Sequence, residues 1–125
     1  EEVAILTIGH PGNFAVSACA DLNKDGIKPA HYDLRFVKPL DHQLLHEVFS
    51  KYKKIITVED GCIQGGFGSA VAEFMLDHQY TAAMVRLGIP DTFIEHGEQK
   101  ELYAECHFDA DAIKKAVLKL LSFAK

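Results

Sequence analysis

No stretch of the 125 residues comes near the ~18 consecutive apolar positions that a membrane-spanning helix needs. No signal-peptide pattern opens the chain, so the cytosol is the expected compartment and a membrane is not an expected partner. Basic residues never gather into a block. The nearest approach, Lys51, Lys53 and Lys54, falls at the end of a helical pattern, where cations suit the helix dipole. With a net charge of −5, nucleic acid is not an expected partner either. Cysteine is scarce: Cys19, Cys62 and Cys106 are odd in number, far apart and without a C-x-x-C pair, which fits a reducing compartment better than a disulfide framework. Internal repeats, linkers and low-complexity segments are absent as well.

What is present is an ordinary globular balance, 48% hydrophobic and 25% charged, in the length of one domain. Such a chain buries roughly two thirds of the surface its unfolded form exposes. The first residues, Glu1 and Glu2, run straight into a strand pattern with no Met before them, as an excised domain would.

Val3–Ile8 is a continuous apolar run, the pattern of a strand covered on both faces. After the turn at Gly9, His10, Pro11 and Gly12, Asn13 suits a helix N-terminus. The helix carries Phe14, Val16, Ala18 and Leu22 and stops at Gly26. Residues 30–36 read as a second strand ended before Pro39. Asp41 caps a helix with Leu44, Leu45, Val48, Phe49 and Tyr52 on one face, and Lys54–Glu59 is a third strand. A glycine-rich loop over 61–68 opens a helix with Val71 and Phe74 inward, and residues 82–87 form a fourth strand. Residues 91–97 are irregular, with a short extended piece at Thr92, Phe93 and Ile94. Asp109 caps a final helix carrying Ile113, Ala116, Val117, Leu120 and Leu121. Strands alternating with helices at crossover lengths imply right-handed βαβ units. The expected fold is therefore a three-layer α/β/α sandwich over residues 1–125, with a mostly parallel sheet of about four strands in the order 2-1-3-4.

In such a sheet, ligands bind beyond the carboxyl ends of the strands. That edge collects His10, Asp33, Arg35, Glu59, Asp60 and the loop ending Gly65, Gly66, Phe67 and Gly68. The loop is neither a P-loop nor G-x-G-x-x-G. Two readings fit it. Bare N–H groups at a helix N-terminus could hold an anion. Alternatively, glycine permits close approach of backbone to a neighbouring domain, the preferred reading. Phe67 is expected to anchor in a neighbour or in the domain's own core. Asp33, Arg35, Glu59 and Asp60 are expected to form a structural charge cluster, with Arg35 paired to one of the three carboxylates, rather than an acid/base set. His10 reads as a turn residue. His42 and His46 have metal-ligand spacing, but no Glu or third His completes the motif, so they read as surface histidines. No Ser sits in G-x-S-x-G and Cys62 lacks an identifiable His partner, so nucleophilic catalysis has no support.

The segment Asp33-Leu34-Arg35-Phe36-Val37-Lys38-Pro39-Leu40-Asp41 is similar to the D-x-R-x-x-K-P-L-D block of the transketolase C-terminal domain family. Thr57-Val58-Glu59-Asp60-Gly61, followed by Gly65-Gly66-Phe67-Gly68-Ser69-Ala70-Val71, resembles the family's next block. Phe36 and the stretch 87–97 resemble the branch of deoxyxylulose phosphate synthases, which condense pyruvate with glyceraldehyde 3-phosphate and release carbon dioxide. The resemblance implies a non-catalytic domain of a thiamine-diphosphate- and magnesium-dependent transferase. Both cofactors would lie in preceding domains of a homodimer, with no catalytic, cofactor or metal residue in this chain. Nothing here matches that family's G-D-G…N diphosphate motif. Two other readings stay open: a free-standing flavodoxin-like module binding an anion or small ligand, and the C-terminal domain of a 2-oxo-acid dehydrogenase beta subunit.

Overall fold

The computed structural model describes residues 2–8, 12–34, 41–59, 66–88 and 110–122. Along the chain lie β1 (Val3–Ile8), α1 (Gly12–Lys24), β2 (Ala30–Leu34), α2 (His42–Lys51), β3 (Lys54–Glu59), α3 (Phe67–Asp77), β4 (Ala83–Gly88) and α4 (Ala110–Leu121). The four strands are all parallel, in the expected order β2-β1-β3-β4, with β1 inside the sheet. The expected extended piece at 92–94 and the cap at Asp109 lie outside the described residues, as does the end of the second strand beyond Leu34.

Period-two alternation divides the apolar residues of β1 and β3 between two cores. Val3, Ile5, Ile56 and Val58 face α1 and α4, where Ala15, Ala18, Leu22, Ile113, Val117 and Leu120 meet them. Ala4, Leu6 and Ile55 face the other way, onto Leu45, Val48, Phe49, Phe67, Val71 and Phe74 of α2 and α3. Both faces of the sheet are thus covered by helices of this same chain, which is why β1 is apolar at nearly every position.

The helix ends follow local chemistry. Asp41 caps α2 by accepting from the Leu44 amide at 3.0 Å, as its sequence position suggests. Gly26, at φ +80°, closes α1. The Ile27 amide donates to the Leu22 carbonyl and the Gly26 amide to the Asn23 carbonyl, the paired bonds of a Schellman stop. The end of α3 makes the same two bonds, from Tyr80 to Met75 and from Gln79 to Leu76, but here the left-handed position at φ +60° is filled by Gln79. A side chain with a Cβ is strained there, by about 1–2 kcal/mol. The sequence gives no warning of this stop, because it carries neither Gly nor Asn at the position. Replacing Gln79 by Gly is therefore expected to raise stability by about 1 kcal/mol in chemical denaturation. An unchanged or lower stability would mean that the Gln79 side chain makes a compensating contact.

Candidate functional site at the carboxyl edge of the sheet

The carboxyl ends of β1 and β3 lie side by side, with Ile8 opposite Glu59 and Glu59 in turn opposite Gly88. Glu59 is the last residue of β3 and is only 4% exposed. Its parity puts the side chain on the α2/α3 face, beneath the first turn of α3. There one carboxylate oxygen accepts from the Phe67 amide at 2.5 Å and the other from the Gly68 amide at 2.9 Å. The N-cap of α3 is Gly66, which has no side chain to satisfy these amides. Glu59 thus performs from the sheet what a Ser or Asp N-cap would do from the chain. Hydrogen bonds to a charged group contribute about 1.5–3 kcal/mol each, and the positive end of the helix dipole adds to them. Among the described residues no cation pairs with Glu59; the amides and the dipole balance its charge.

Two consecutive residues then fix how α3 meets the sheet. Phe67 is fully buried in the domain's own core, which resolves the choice between a neighbour and the core in favour of the core. Gly68 follows. A Cβ there would stand 2.8 Å from the Thr57 hydroxyl and 3.1 Å from Cδ of Arg86. The glycine is therefore required by close approach to β3 and β4 of this chain, not to another domain. The Thr57 hydroxyl is buried without a hydrogen-bond partner among the described residues, confined under that glycine. Arg86 passes over Gly68 and donates from Nη1 to the Ser69 hydroxyl at 3.1 Å. Gly66 itself has φ −108°, open to any residue.

The arrangement bears on the anion reading at the helix end of the loop. The Phe67 and Gly68 amides, which an external phosphate would need, are already held by an internal carboxylate. Nor does the structure join Asp33 to Glu59. Asp33 pairs in register with Thr7 and extends to the α1/α4 side of the sheet, opposite to Glu59. Arg35, Asp60, His10 and Gly65 lie outside the described residues, and so does any pairing of Arg35.

On that α1/α4 side is a set of contacts that the sequence did not bring forward. The fully buried Thr7 hydroxyl donates to Asp33 Oδ1 at 3.2 Å and lies 2.8 Å from His31 Nε2. A hydroxyl has one proton, so His31 donates from Nε2–H and Thr7 accepts. His31 and Asp33 stand two apart on β2, which puts them on one face, but only the strand register shows that Thr7 lies between them. Burial pushes the His31 pKa below its ordinary value, and the Asp33 charge opposes that shift. Among the described residues, no three His, Cys, Asp or Glu side chains are arranged to hold a metal ion, and no helix is long and apolar enough to cross a membrane.

Comparison with known proteins identifies the family of this fold. The family model of the transketolase C-terminal domain matches residues 1–113. The chain belongs to the transketolase C-terminal domain family. It is 58% identical over 120 residues to the 1-deoxy-D-xylulose-5-phosphate synthase of Cytophaga hutchinsonii, covering 96% of this chain and 19% of that protein. The synthase of Bacteroides thetaiotaomicron is 52% identical over 95% of this chain and 18% of its own length. The chain thus spans about a fifth of the length of the curated relatives it matches. Among solved structures, a split-gene transketolase, described as an inactive beta4 tetramer, superposes with a TM-score of 0.85 at 30% identity, over 99% of this chain and 39% of that one. Transketolase from Campylobacter jejuni shares the fold alone, with a TM-score of 0.61 at 16% identity over 94% of this chain and 17% of its own. The expected α/β architecture is therefore that of the transketolase C-terminal domain.

The His31 environment gives this domain a pH dependence of definite sign. Since the folded pKa is depressed from the 6.5 of a free imidazole, the unfolded chain takes up the proton first. The contribution of His31 is present above about pH 6.5 and is lost as pH falls through the folded pKa. In denaturation measured across that range, His31→Gln, which keeps an N–H donor for Thr7, should lose less stability on acidification than the parent. Equal losses would show that His31 does not couple folding to protons.

Proposed function

We propose that this chain is the C-terminal domain of a 1-deoxy-D-xylulose-5-phosphate synthase. That enzyme is a thiamine-diphosphate-dependent transferase condensing pyruvate and glyceraldehyde 3-phosphate with loss of carbon dioxide. The observation that carries the reading is the match of nearly the whole chain, at 58% identity, to about a fifth of a protein bearing that name. The role proposed for the domain is structural. It presents a rigid sheet edge to the preceding domains of its own polypeptide and to the second subunit of a homodimer in the cytoplasm.

The described residues do not fit the cofactor. Magnesium and a diphosphate need oxygen donors free to coordinate and amides free to donate. Here the one buried carboxylate at the carboxyl edge, Glu59, is committed to two amides of α3, and those amides are committed to it. We assign no step of the reaction to the described residues and propose that both cofactors sit in the remainder of the polypeptide. The same closed arrangement disfavours a free-standing anion-binding module.

Two assays test the reading together. The full polypeptide carrying this chain should form 1-deoxy-D-xylulose 5-phosphate from the two substrates when supplied with thiamine diphosphate and magnesium. The 125-residue chain alone should give a flat calorimetric titration with the same cofactors. Micromolar binding by the chain alone would overturn the placement of the cofactors, and an inactive full polypeptide would overturn the reaction.

A further inference from the structure

At the amino edge of the sheet, opposite the edge that carries the family motifs, the domain has a groove of about 270 Å³. Glu2, Val3, Ile27, Lys28, Pro29 and Leu121 line it. Local structure brings them together. The stop at Gly26 turns the chain out of α1, and residues 27–29 carry it to the start of β2, where Ala30 stands opposite Ala4. Val3, at the start of β1, and Leu121, at the end of α4, complete the lining.

The lining separates two kinds of occupant. A site for a small ligand is larger, roughly 300–1,000 Å³, and sets several polar groups around its contents. Here the polar side chains are only two. The Glu2 carboxylate lies 3.6 Å from Nζ of Lys54, and Lys28 is exposed. The other four residues are apolar. Ile27 and Leu121 pack one side against the α1/α4 core and are half-exposed on the other, and Pro29 is half-buried. Pro29 has no N–H, so it offers apolar surface without a backbone donor. Such a surface suits an apolar stretch of polypeptide.

Position says which polypeptide. Glu2 leads directly into β1 and lines the groove itself, so a segment that precedes β1 passes the groove within a residue or two. The ion pair to Lys54, whose side chain is 12% exposed at the start of β3, holds that entry in place. This chain makes up 19% of one relative and 18% of another, in a family of C-terminal domains.

We propose that the amino-edge groove seats the segment joining β1 to the preceding domain of the same polypeptide, a domain whose existence rests on the function proposed above. Apolar side chains of that segment lie against Ile27, Pro29 and Leu121. Seating it there holds the domain in one orientation to what precedes it, from the edge opposite the Glu59 junction.

Limited proteolysis of the full polypeptide tests this, read at the segment before Glu1. Ile27→Asp puts a charge into the groove and should speed cleavage there by about tenfold, since cleavage follows the population of the open joint. Pro29→Asp, at a half-buried position outside both cores, should act in the same direction and keeps the test decisive if Ile27→Asp does not fold. Amide protection at Ile5 and Ile56, equal to the parent's, shows that a variant is folded. Cleavage at the parent's rate in folded Pro29→Asp would overturn the proposal. So would a joint that is cut in the parent as fast as in the unfolded polypeptide. Product formation plays no part in the readout, so an inactive polypeptide with a protected joint would count against the synthase reading and not against the groove.

Discussion

The fold around the carboxyl edge depends on one contact, the carboxylate of Glu59 against the first two amides of α3. It joins the end of the inner strand β3 to the start of the helix that covers it, across eight residues of chain. Once that junction is made, Phe67 enters the core and Gly68 lets the helix settle onto Thr57 and Arg86. A different residue at 59 would leave buried amides without acceptors, at about 1–3 kcal/mol each. A Cβ at 68 would lift the helix off the sheet. The three residues serve one geometry.

That geometry leaves the two amides at the start of α3 engaged within the domain. Helix N-termini attract phosphate through free amides and an aligned dipole. Here they are neutralised from within by a carboxylate that the sheet holds at a fixed point.

Much of the architecture was legible in the residues. The unbroken apolar run of β1 marks a strand covered on both faces, Asp41 marks a helix start, and alternation at crossover lengths marks a parallel α/β sheet; the order β2-β1-β3-β4 agrees with a doubly wound arrangement that alternation alone does not fix. The site was less legible, for a definite reason. Local sequence shows that an acid follows a strand, but not that it folds back onto amides eight and nine positions later. Asp33 and Glu59 look like neighbours at one edge until the register sets them opposite Thr7 and Ile8, adjacent residues that point to opposite faces. The contact of Thr7 with His31 is a matter of strand register, which local sequence does not show. In each case the missing information was the pairing of elements distant in sequence.

Amide hydrogen exchange at Phe67 and Gly68, compared between the parent chain and Glu59→Gln, tests the central contact most directly. The carboxamide preserves the side chain's size but offers one acceptor oxygen in place of two, so at least one amide loses its partner. Both amides should be strongly protected in the parent. In the variant, at least one should lose protection by more than the amides of Ile5 and Ile56 at the centre of the sheet. Free exchange of both amides in the parent, or protection unchanged in the variant, would contradict the account.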